Sequence, residues 1–241
     1  MRFWTFLIVR LTLAIAIVAW AYTALLTPSS GDKEFRRTLE AFKTVRTVHY
    51  SMVGDVPTQH TEEEGDLICD DDSFYRATHV VRHDAGNDAK LDIVVLRTAG
   101  QDYRLMNNGM WKRDYAGLEP AKTTCQRLAQ GTPAWIVPDV AELLRYGIIE
   151  KGDKKTVNGD VCREWRVTMR VGGVLERRTL CLGVKDHLPR EMSVSMQAAR
   201  WTYAFNVPAQ IETPENVMPE PDRNNYQPPP AGLTLSNDKD D

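Results

Sequence analysis

The alternation of apolar and polar residues between positions 161 and 207 constrains the fold more than any other feature. In 161–171 the apolar side chains Trp165, Val167 and Met169 occupy odd positions, and a period of two places them on one face of a β-strand. Gly172-Gly173 then indicates a tight hairpin turn. Three more segments repeat the pattern, with apolar positions at Val174, Leu180, Leu182 and Val184; at Leu188, Met192, Val194 and Met196; and at Trp201, Tyr203, Phe205 and Val207. Four consecutive strands with one apolar face are therefore predicted.

Shorter strand-like segments come earlier in the chain. Val48, Tyr50 and Met52 alternate with more polar neighbours. Further segments of this kind are 62–69, 74–81, 91–98, 103–106 and 110–113. Turn residues rather than helices separate them, which indicates an antiparallel meander.

Two regions are predicted to be helical. Asp32 follows serines and a glycine, and Phe35, Leu39 and Phe42 recur at helical spacing, so an amphipathic helix over 32–45 is expected. Residues 116–146 interrupt the strands as a helix- and loop-rich insertion. Within it, Pro138 fits the first position of a short helix that ends at Gly147.

Residues 1–26 have the composition of a membrane-export segment. Arg2 and Arg10 precede a stretch without charge from Leu11 to Leu26. The segment fits a signal peptide cleaved near Ala21, and it also fits an uncleaved transmembrane anchor over residues 3–26. The aromatic residues at its outer end favour retention slightly. Either interpretation predicts a periplasmic location for the rest of the chain, tethered to the inner membrane or soluble.

The remaining residues, about 215 of the 241, are enough for one domain, predicted at 27–214. Of the 30 basic residues, Arg2 and Arg10 belong to the export segment, which leaves 28 against 33 acidic ones, a net charge of −5. An acidic domain without a basic stripe argues against nucleic acid as a partner. Residues 215–241 are rich in proline and acids and are predicted to be a disordered tail.

All four cysteines follow the export segment, which favours two disulfides in an oxidising compartment. Three pairings are open, and free thiols are an alternative. A two-residue turn at Gly172-Gly173 puts Cys162 opposite Gly183 and Cys181 opposite Glu164, so these cysteines are diagonal neighbours near bridging distance. We favour the Cys162–Cys181 bridge, which leaves Cys69 and Cys125 to tie the insertion to an early strand.

The sequence contains no strong catalytic motif, and a non-enzymatic protein without metal or cofactor is predicted. His79 and His83 lie beside a strand, where a metal site is a weak interpretation, and His49 could meet His79 on an adjacent strand. The acidic run 70–72 fits a solvated turn. The pairs at 154–155 and 177–178 are interpreted as surface charge.

Two short segments resemble the LolA-like superfamily of periplasmic lipoprotein carriers and related lipid-binding lipoproteins. Residues 155–167 (KTVNGDVCREWRV) are similar to a strand-leading motif of that group, and residues 182–191 (LGVKDHLPRE) to one of its hairpins. Residues 211–214 (IETP) are similar to its usual end. The resemblance implies a mainly β fold with α-helices: a strongly curved, unclosed antiparallel half-barrel whose concave face the helices 32–45 and 116–146 cover.

The resemblance also implies a ligand, because several members of this superfamily carry acyl chains on that face. The residues expected to line such a cavity are Trp165, Val167, Met169, Leu180, Leu182, Met192, Val194, Met196, Trp201, Tyr203 and Phe205. Methionine and aromatic walls adapt well to a lipid chain, although the same residues also suit a packed core. The function expected is a carrier or tethered sensor of a lipid or lipoprotein acyl group. The alternative is a membrane-anchored interaction subunit with a packed sheet, its tail being a candidate contact for a protein partner.

Overall fold

Eleven antiparallel strands form one unclosed sheet in the computed structural model, which describes residues 29–84, 87–113, 120–130, 137, 139–195 and 198–219. The strands are β1 (Thr47–Val56), β2 (Gln59–Ile68), β3 (Ser73–Asp84), β4 (Asn87–Thr98), β5 (Gln101–Leu105), β6 (Trp111–Arg113), β7 (Ile148–Val157), β8 (Asp160–Val171), β9 (Val174–Gly183), β10 (Pro189–Val194) and β11 (Ala199–Phe205). Their order is β6-β5-β4-β3-β2-β1-β11-β10-β9-β8-β7. The two meanders therefore join through β1 and β11, and the predicted half-barrel class is confirmed.

The described helices are α1 (Ser30–Phe42), α2 (Ala121–Gln130) and α3 (Val140–Tyr146). A capping box starts α1: the Asp32 amide donates to Ser29 Oγ at 3.0 Å, and the Ser29 amide donates to Asp32 Oδ2 at 2.9 Å. Gly31 lets this end approach β7, because an added Cβ would lie only 2.5 Å from Ile149 Cγ2. The helix ends at Phe42, three residues before the predicted end.

Helix α3 begins at Val140, two residues after the predicted first position. The Asp139 side chain accepts a hydrogen bond from the Glu142 amide at 2.8 Å and caps the helix, so its first residue is Val140. Pro138, predicted at the first helical position, lies outside the described residues. Gly147 ends the helix with extended backbone, φ −90° and ψ 143°, rather than the left-handed conformation.

The three helices cover one face of the sheet, called the inner face below. Phe35 of α1 makes an edge-on contact with Trp165, with ring centroids 6.3 Å apart. Two helix turns further on, the Phe42 ring centroid lies 6.1 Å from that of Phe205. Side chains of strand residues directly opposite one another share a face, and the register from β8 to β11 groups the predicted apolar positions on this inner face.

The β8–β9 hairpin has the predicted turn and register. Gly172 and Gly173 both have positive φ, 56° and 87°, which other residues rarely adopt. Cys162 lies opposite Gly183 and Cys181 opposite Glu164, without a bulge between the strands. The diagonal cysteines are bridged with Cα atoms 5.4 Å apart. The second predicted bridge, Cys69–Cys125, is also present with a Cα separation of 5.8 Å and ties α2 to the end of β2.

The chain after β11 returns to the opposite edge of the sheet. Val217 pairs with Trp111 of β6 in a parallel bridge, and the Trp111 amide donates to the Asn216 carbonyl at 2.8 Å. Residues 216–218, which the sequence places in the tail, thus contact the sheet. Residues 220–241 lie outside the described part of the chain, as does the predicted export segment 1–26.

Within the described residues, no helix has the length and apolar character needed to cross a membrane.

Two tyrosines lie side by side in the core. Tyr50 is directly opposite Tyr203, and their side chains are 1 % and 2 % exposed. Burial raises the pKa of both phenols, and the Glu63 carboxylate, which accepts a hydrogen bond from the Tyr50 hydroxyl at 2.8 Å, raises the pKa of Tyr50 further. Both phenols therefore stay protonated in the fold under conditions in which an exposed tyrosine ionises.

We expect the fold to lose stability above about pH 10, because the unfolded chain then releases phenol protons that the folded chain keeps. Tyr203→Phe should reduce this slope by about 1.4 kcal/mol per pH unit. Urea unfolding at several alkaline pH values measures the slope. An unchanged slope in the variant would mean that Tyr203 ionises normally in the folded protein.

The two disulfides should differ in their resistance to reduction. Cys162 and Cys181 are 0 % and 1 % exposed, whereas Cys125 is only partly buried. Mild reduction of the native protein, followed by alkylation and peptide mass spectrometry, should therefore label Cys69 and Cys125 first. Opening this bridge, which spans 56 residues, should lower the free energy of unfolding by about 4 kcal/mol. Earlier labelling of Cys162 and Cys181 would contradict the expectation.

Candidate functional site

The predicted cavity-lining residues lie on the inner face beneath the helices. Eight of them are buried: Trp165, Val167, Met169, Leu180, Leu182, Met192, Val194 and Tyr203. Trp201 and Phe205 are partly buried and pack against the same core, and Met196 lies outside the described residues. In this conformation the inner face is packed against α1, α2 and α3.

Five of the inner-face side chains form a continuous line across neighbouring strands. We call it the inner row: Trp165, Leu180, Met192, Trp201 and Met52 stand opposite one another from β8 to β1. With strands about 4.8 Å apart, the row is about 19 Å long. The next position is Glu63 of β2, which accepts hydrogen bonds from the Tyr50 hydroxyl and from Thr78 Oγ1 at 3.0 Å. A polar group therefore ends the row on this side.

The Trp165 indole Nε1 and the Tyr203 hydroxyl are buried on the inner face, and neither has a hydrogen-bond partner among the described residues. Trp165 is 3 % exposed and begins the inner row, and Tyr203 lies two residues from Trp201 on β11. A buried donor without a partner costs about 1–3 kcal/mol. Native cores seldom leave such groups unpaired, so each requires an explanation.

The helices over the inner face are attached in different ways. The Cys69–Cys125 disulfide fixes α2 covalently to the sheet. By contrast, α1 is held by the apolar contacts of Phe35 and Phe42 and by polar contacts to the turn before β10. In that turn, the His187 carbonyl accepts a hydrogen bond from Thr38 Oγ1 at 2.8 Å, and the His187 ring lies 2.7 Å from Glu34 Oε1. No disulfide joins α1 to the sheet.

A pocket of about 390 Å³ opens where α1 begins, above β7 and β8. We call it the basic pocket because five cationic side chains line it: Lys33, Arg37, Lys151, Lys154 and Arg163. Trp165, the first member of the inner row, also lines it. The pocket therefore adjoins one end of the row.

The apolar and polar pattern of the sequence does not predict this pocket. Strand β7 is not predicted because Lys151, Asp153 and Lys154 interrupt any apolar alternation, and the pair Lys154-Lys155 indicates surface charge. The structure separates the two lysines. Lys154 lies opposite Arg163 and lines the basic pocket, whereas Lys155 lies opposite Cys162 on the outer face. The sequence feature that indicates this arrangement is Gly152, because an isolated glycine within a strand often marks a bulge.

The outer face near the Cys162–Cys181 bridge contains a closed ion-pair network. Lys155 Nζ donates to Glu191 Oε1 at 2.7 Å and lies 3.7 Å from Glu164, and Arg200 binds the other Glu191 oxygen. Burial alone would raise the pKa of Glu191, but the hydrogen bonds from Lys155 and Arg200 outweigh it and hold that pKa below its usual value. These charges neutralise one another.

The histidines considered for metal binding each contact an acid on the outer face. His79 contacts Asp92, and His83 Nδ1 is 3.0 Å from Asp88. The expectation that His49 and His79 could meet on adjacent strands is wrong, because β2 lies between their strands and His49 contacts Asp66 of β2. Within the described ranges, no group of three or more acidic, histidine or cysteine side chains is placed to hold a metal ion.

No protein-family model and no curated protein matches the sequence. Solved structures do match the fold. LprF from Mycobacterium bovis superposes with a TM-score of 0.56 at 13 % identity, covering 78 % of this chain and 99 % of LprF. The Mycobacterium tuberculosis lipoprotein LppX gives 0.47 at 11 % identity over 77 % of this chain and 100 % of its own. The MucA/MucB complex from Pseudomonas aeruginosa gives 0.41 at 14 % identity over 76 % and 59 %.

The match to LprF extends over nearly the whole of that protein. At 13 % identity it establishes the architecture and leaves the ligand open. The sequence motifs at 155–167 and 182–191 occupy the β7–β8 turn and the β9–β10 turn, where a fold-specific motif is expected. The chain shares its fold with LprF.

Proposed function

We propose that this chain is a non-enzymatic binding protein of the bacterial cell envelope that holds the acyl chain of a lipid or lipoprotein along the inner row. The observation that carries the proposal is the chemistry of the row and its surroundings. Methionine and tryptophan side chains dominate it, and the buried Trp165 Nε1 and Tyr203 hydroxyl beside it lack hydrogen-bond partners among the described residues. A ligand with an alkyl chain and ester or amide oxygens would satisfy both features.

The ligand would reach the row by displacing α1. No disulfide joins this helix to the sheet, and its Phe35 and Phe42 rings contact Trp165 of the row and Phe205 beside it on the inner face. Burying an acyl chain contributes about 0.8 kcal/mol per CH₂. A chain along the row would therefore replace the apolar contacts that α1 gives up, and the Cys69–Cys125 bridge would keep α2 in place.

The envelope location is inferred from two features. Two disulfides require an oxidising compartment to form and persist. The predicted export segment 1–26 supplies the route across the inner membrane, with either a cleaved or a retained form. Retention would make the protein a tethered sensor, and cleavage would permit a diffusing carrier.

The alternative is a membrane-anchored interaction subunit whose packed sheet holds no ligand. The burial of eight predicted lining residues favours it. Exposed apolar side chains at the β8–β9 hairpin end also favour it, since Leu175 is 66 % and Ile148 of the adjacent β7 is 70 % exposed. Such a patch suits contact with another protein.

Met52→Gln should separate the two functions. Met52 is the partly buried end of the inner row, so the polar substitution should lower labelling of the full chain by a photoactivatable fatty acid about tenfold. Val53→Gln is the matched control, because Val53 is the next residue of β1 and lies 45 % exposed on the outer face. Peptide mass spectrometry after illumination gives the site and yield of labelling.

Circular dichroism should show that both variants remain folded. Labelling of the parent should map to peptides that contain Met192 and Trp201. If the parent takes no label there, and native mass spectrometry after gentle extraction finds no retained lipid, the acyl-binding proposal fails and the interaction subunit is favoured.

A further inference from the structure

A one-residue bulge in β7 builds the wall of the basic pocket. Lys151 lies opposite Trp165 and Lys154 lies opposite Arg163, and the register shifts between these pairs. In a regular strand, residues three apart point to opposite faces. The bulge brings both lysines to the inner face, beside Arg163 and Trp165.

The lysines that face the pocket are not neutralised. Within the described part of the chain, Lys33, Lys151 and Lys154 form no ion pair with an acid. The contrast with Lys155 is direct, because this neighbour on the outer face is paired with Glu191 and Glu164. The charge that the bulge turns inward is therefore available to a ligand.

Helix α1 and strand β8 complete the pocket. Lys33 and Arg37 are four residues apart and share a face of α1. Arg163 donates from Nη1 to the Gly152 carbonyl at 3.1 Å, so the bulge itself orients its guanidinium group. Among the lining residues, Glu34 is the one carboxylate, and it already contacts His187 at 2.7 Å and Arg37 at 3.5 Å.

Trp165 connects the pocket to the inner row. It lines the pocket, stands first in the row, is 3 % exposed and has an indole Nε1 without a hydrogen-bond partner among the described residues. A buried donor at this junction suits the oxygen-rich part of a molecule whose apolar part continues along the row. Lysines on an edge strand also discourage pairing with another sheet. That role does not require five cations around one pocket, nor a buried donor without a partner beside them.

The geometry points to an anionic phospholipid as the ligand, with its phosphate group in the basic pocket and an acyl chain along the inner row. Cationic lysines and a preoriented arginine are the groups that recognise phosphate oxygens. This inference rests on the proposed function for the acyl chain and adds the charge and place of the headgroup. A free phosphate ester shares the headgroup chemistry, and competition can distinguish it.

The position of the pocket suits a ligand that comes from a membrane. The predicted export segment ends at Leu26, four residues before α1 begins at Ser30. Four extended residues span at most about 14 Å. A chain retained by that segment would hold the basic pocket close to the membrane surface.

The test uses the full chain reconstituted in phosphatidylcholine vesicles. Each preparation contains, as a trace component, phosphatidylglycerol or phosphatidylcholine with the same photoactivatable acyl chain. After illumination, mass spectrometry gives the yield of each lipid on peptides that contain Met192 and Trp201. We expect phosphatidylglycerol to label these peptides in strong preference to phosphatidylcholine.

Removing two pocket lysines should abolish this preference. The double variant Lys151→Gln/Lys154→Gln should lower the ratio of phosphatidylglycerol to phosphatidylcholine labelling about 30-fold, since each lysine near an anionic headgroup contributes about fivefold. The control is Lys90→Gln/Lys112→Gln, which makes the same change in net charge with exposed lysines on β4 and β6. It should leave the ratio unchanged.

The possible results distinguish failure of the headgroup assignment from failure of acyl binding. Equal labelling by both lipids in the parent, or an equal loss of preference in both double variants, would overturn the headgroup assignment and leave acyl binding intact. Absence of labelling on the row peptides by either lipid would overturn acyl binding and the headgroup assignment together. If excess glycerol 3-phosphate displaces phosphatidylglycerol, the pocket takes a free phosphate ester and the phospholipid assignment fails.

Discussion

The packing of α1 against the inner face is the interaction on which the rest of the structure depends. Phe35 contacts the β8 end of the inner face through Trp165, and Phe42 contacts the β11 end through Phe205. A sheet with one apolar face has to bury that face, and a half-barrel cannot do so by closing on itself. The helix therefore supplies the missing layer from β8 to β11, the strand that joins the second meander to β1.

The regular strands could be predicted because one face of each strand is apolar and the other is polar. Strand β8 alternates cleanly, so Trp165 and Cys162 could be assigned to opposite faces and the diagonal cysteine pair followed from the turn. Strand β7 could not be predicted in this way, since it is an edge strand with charge on both faces. Its Ile149 lies beneath Gly31 of α1, a tertiary contact that no local pattern reports.

The candidate site was predictable to the same extent. The sequence predicted which residues of β8 to β11 share the inner face, because apolar alternation assigns faces directly. It did not identify the basic pocket, because Lys151 and Lys154 share a face only through the bulge at Gly152. A bulge shifts the register by one residue and reverses every later assignment on its strand. Whether Trp165 Nε1 finds a partner likewise depends on packing from other elements.

The packed inner face and the proposed ligand are compatible if α1 and the ligand compete for the same surface. A ligand can shift such an equilibrium only through its different affinity for the two states. An acyl chain would bind the row only where α1 has moved, whereas the phosphate group would bind lysines on β7 that do not depend on α1. Glu34 and Arg37 couple the two sites, since both belong to α1 and line the basic pocket.

An anion that enters the pocket would draw Arg37 away from Glu34 and repel the Glu34 carboxylate, which lies 2.7 Å from the His187 ring. It would thereby weaken one of the polar contacts that hold α1 on the sheet, at the end of the helix nearest to Trp165. The disulfide to Cys125 confines such an opening to α1, because α2 cannot follow it. Headgroup binding and uncovering of the inner row would then be successive parts of one event.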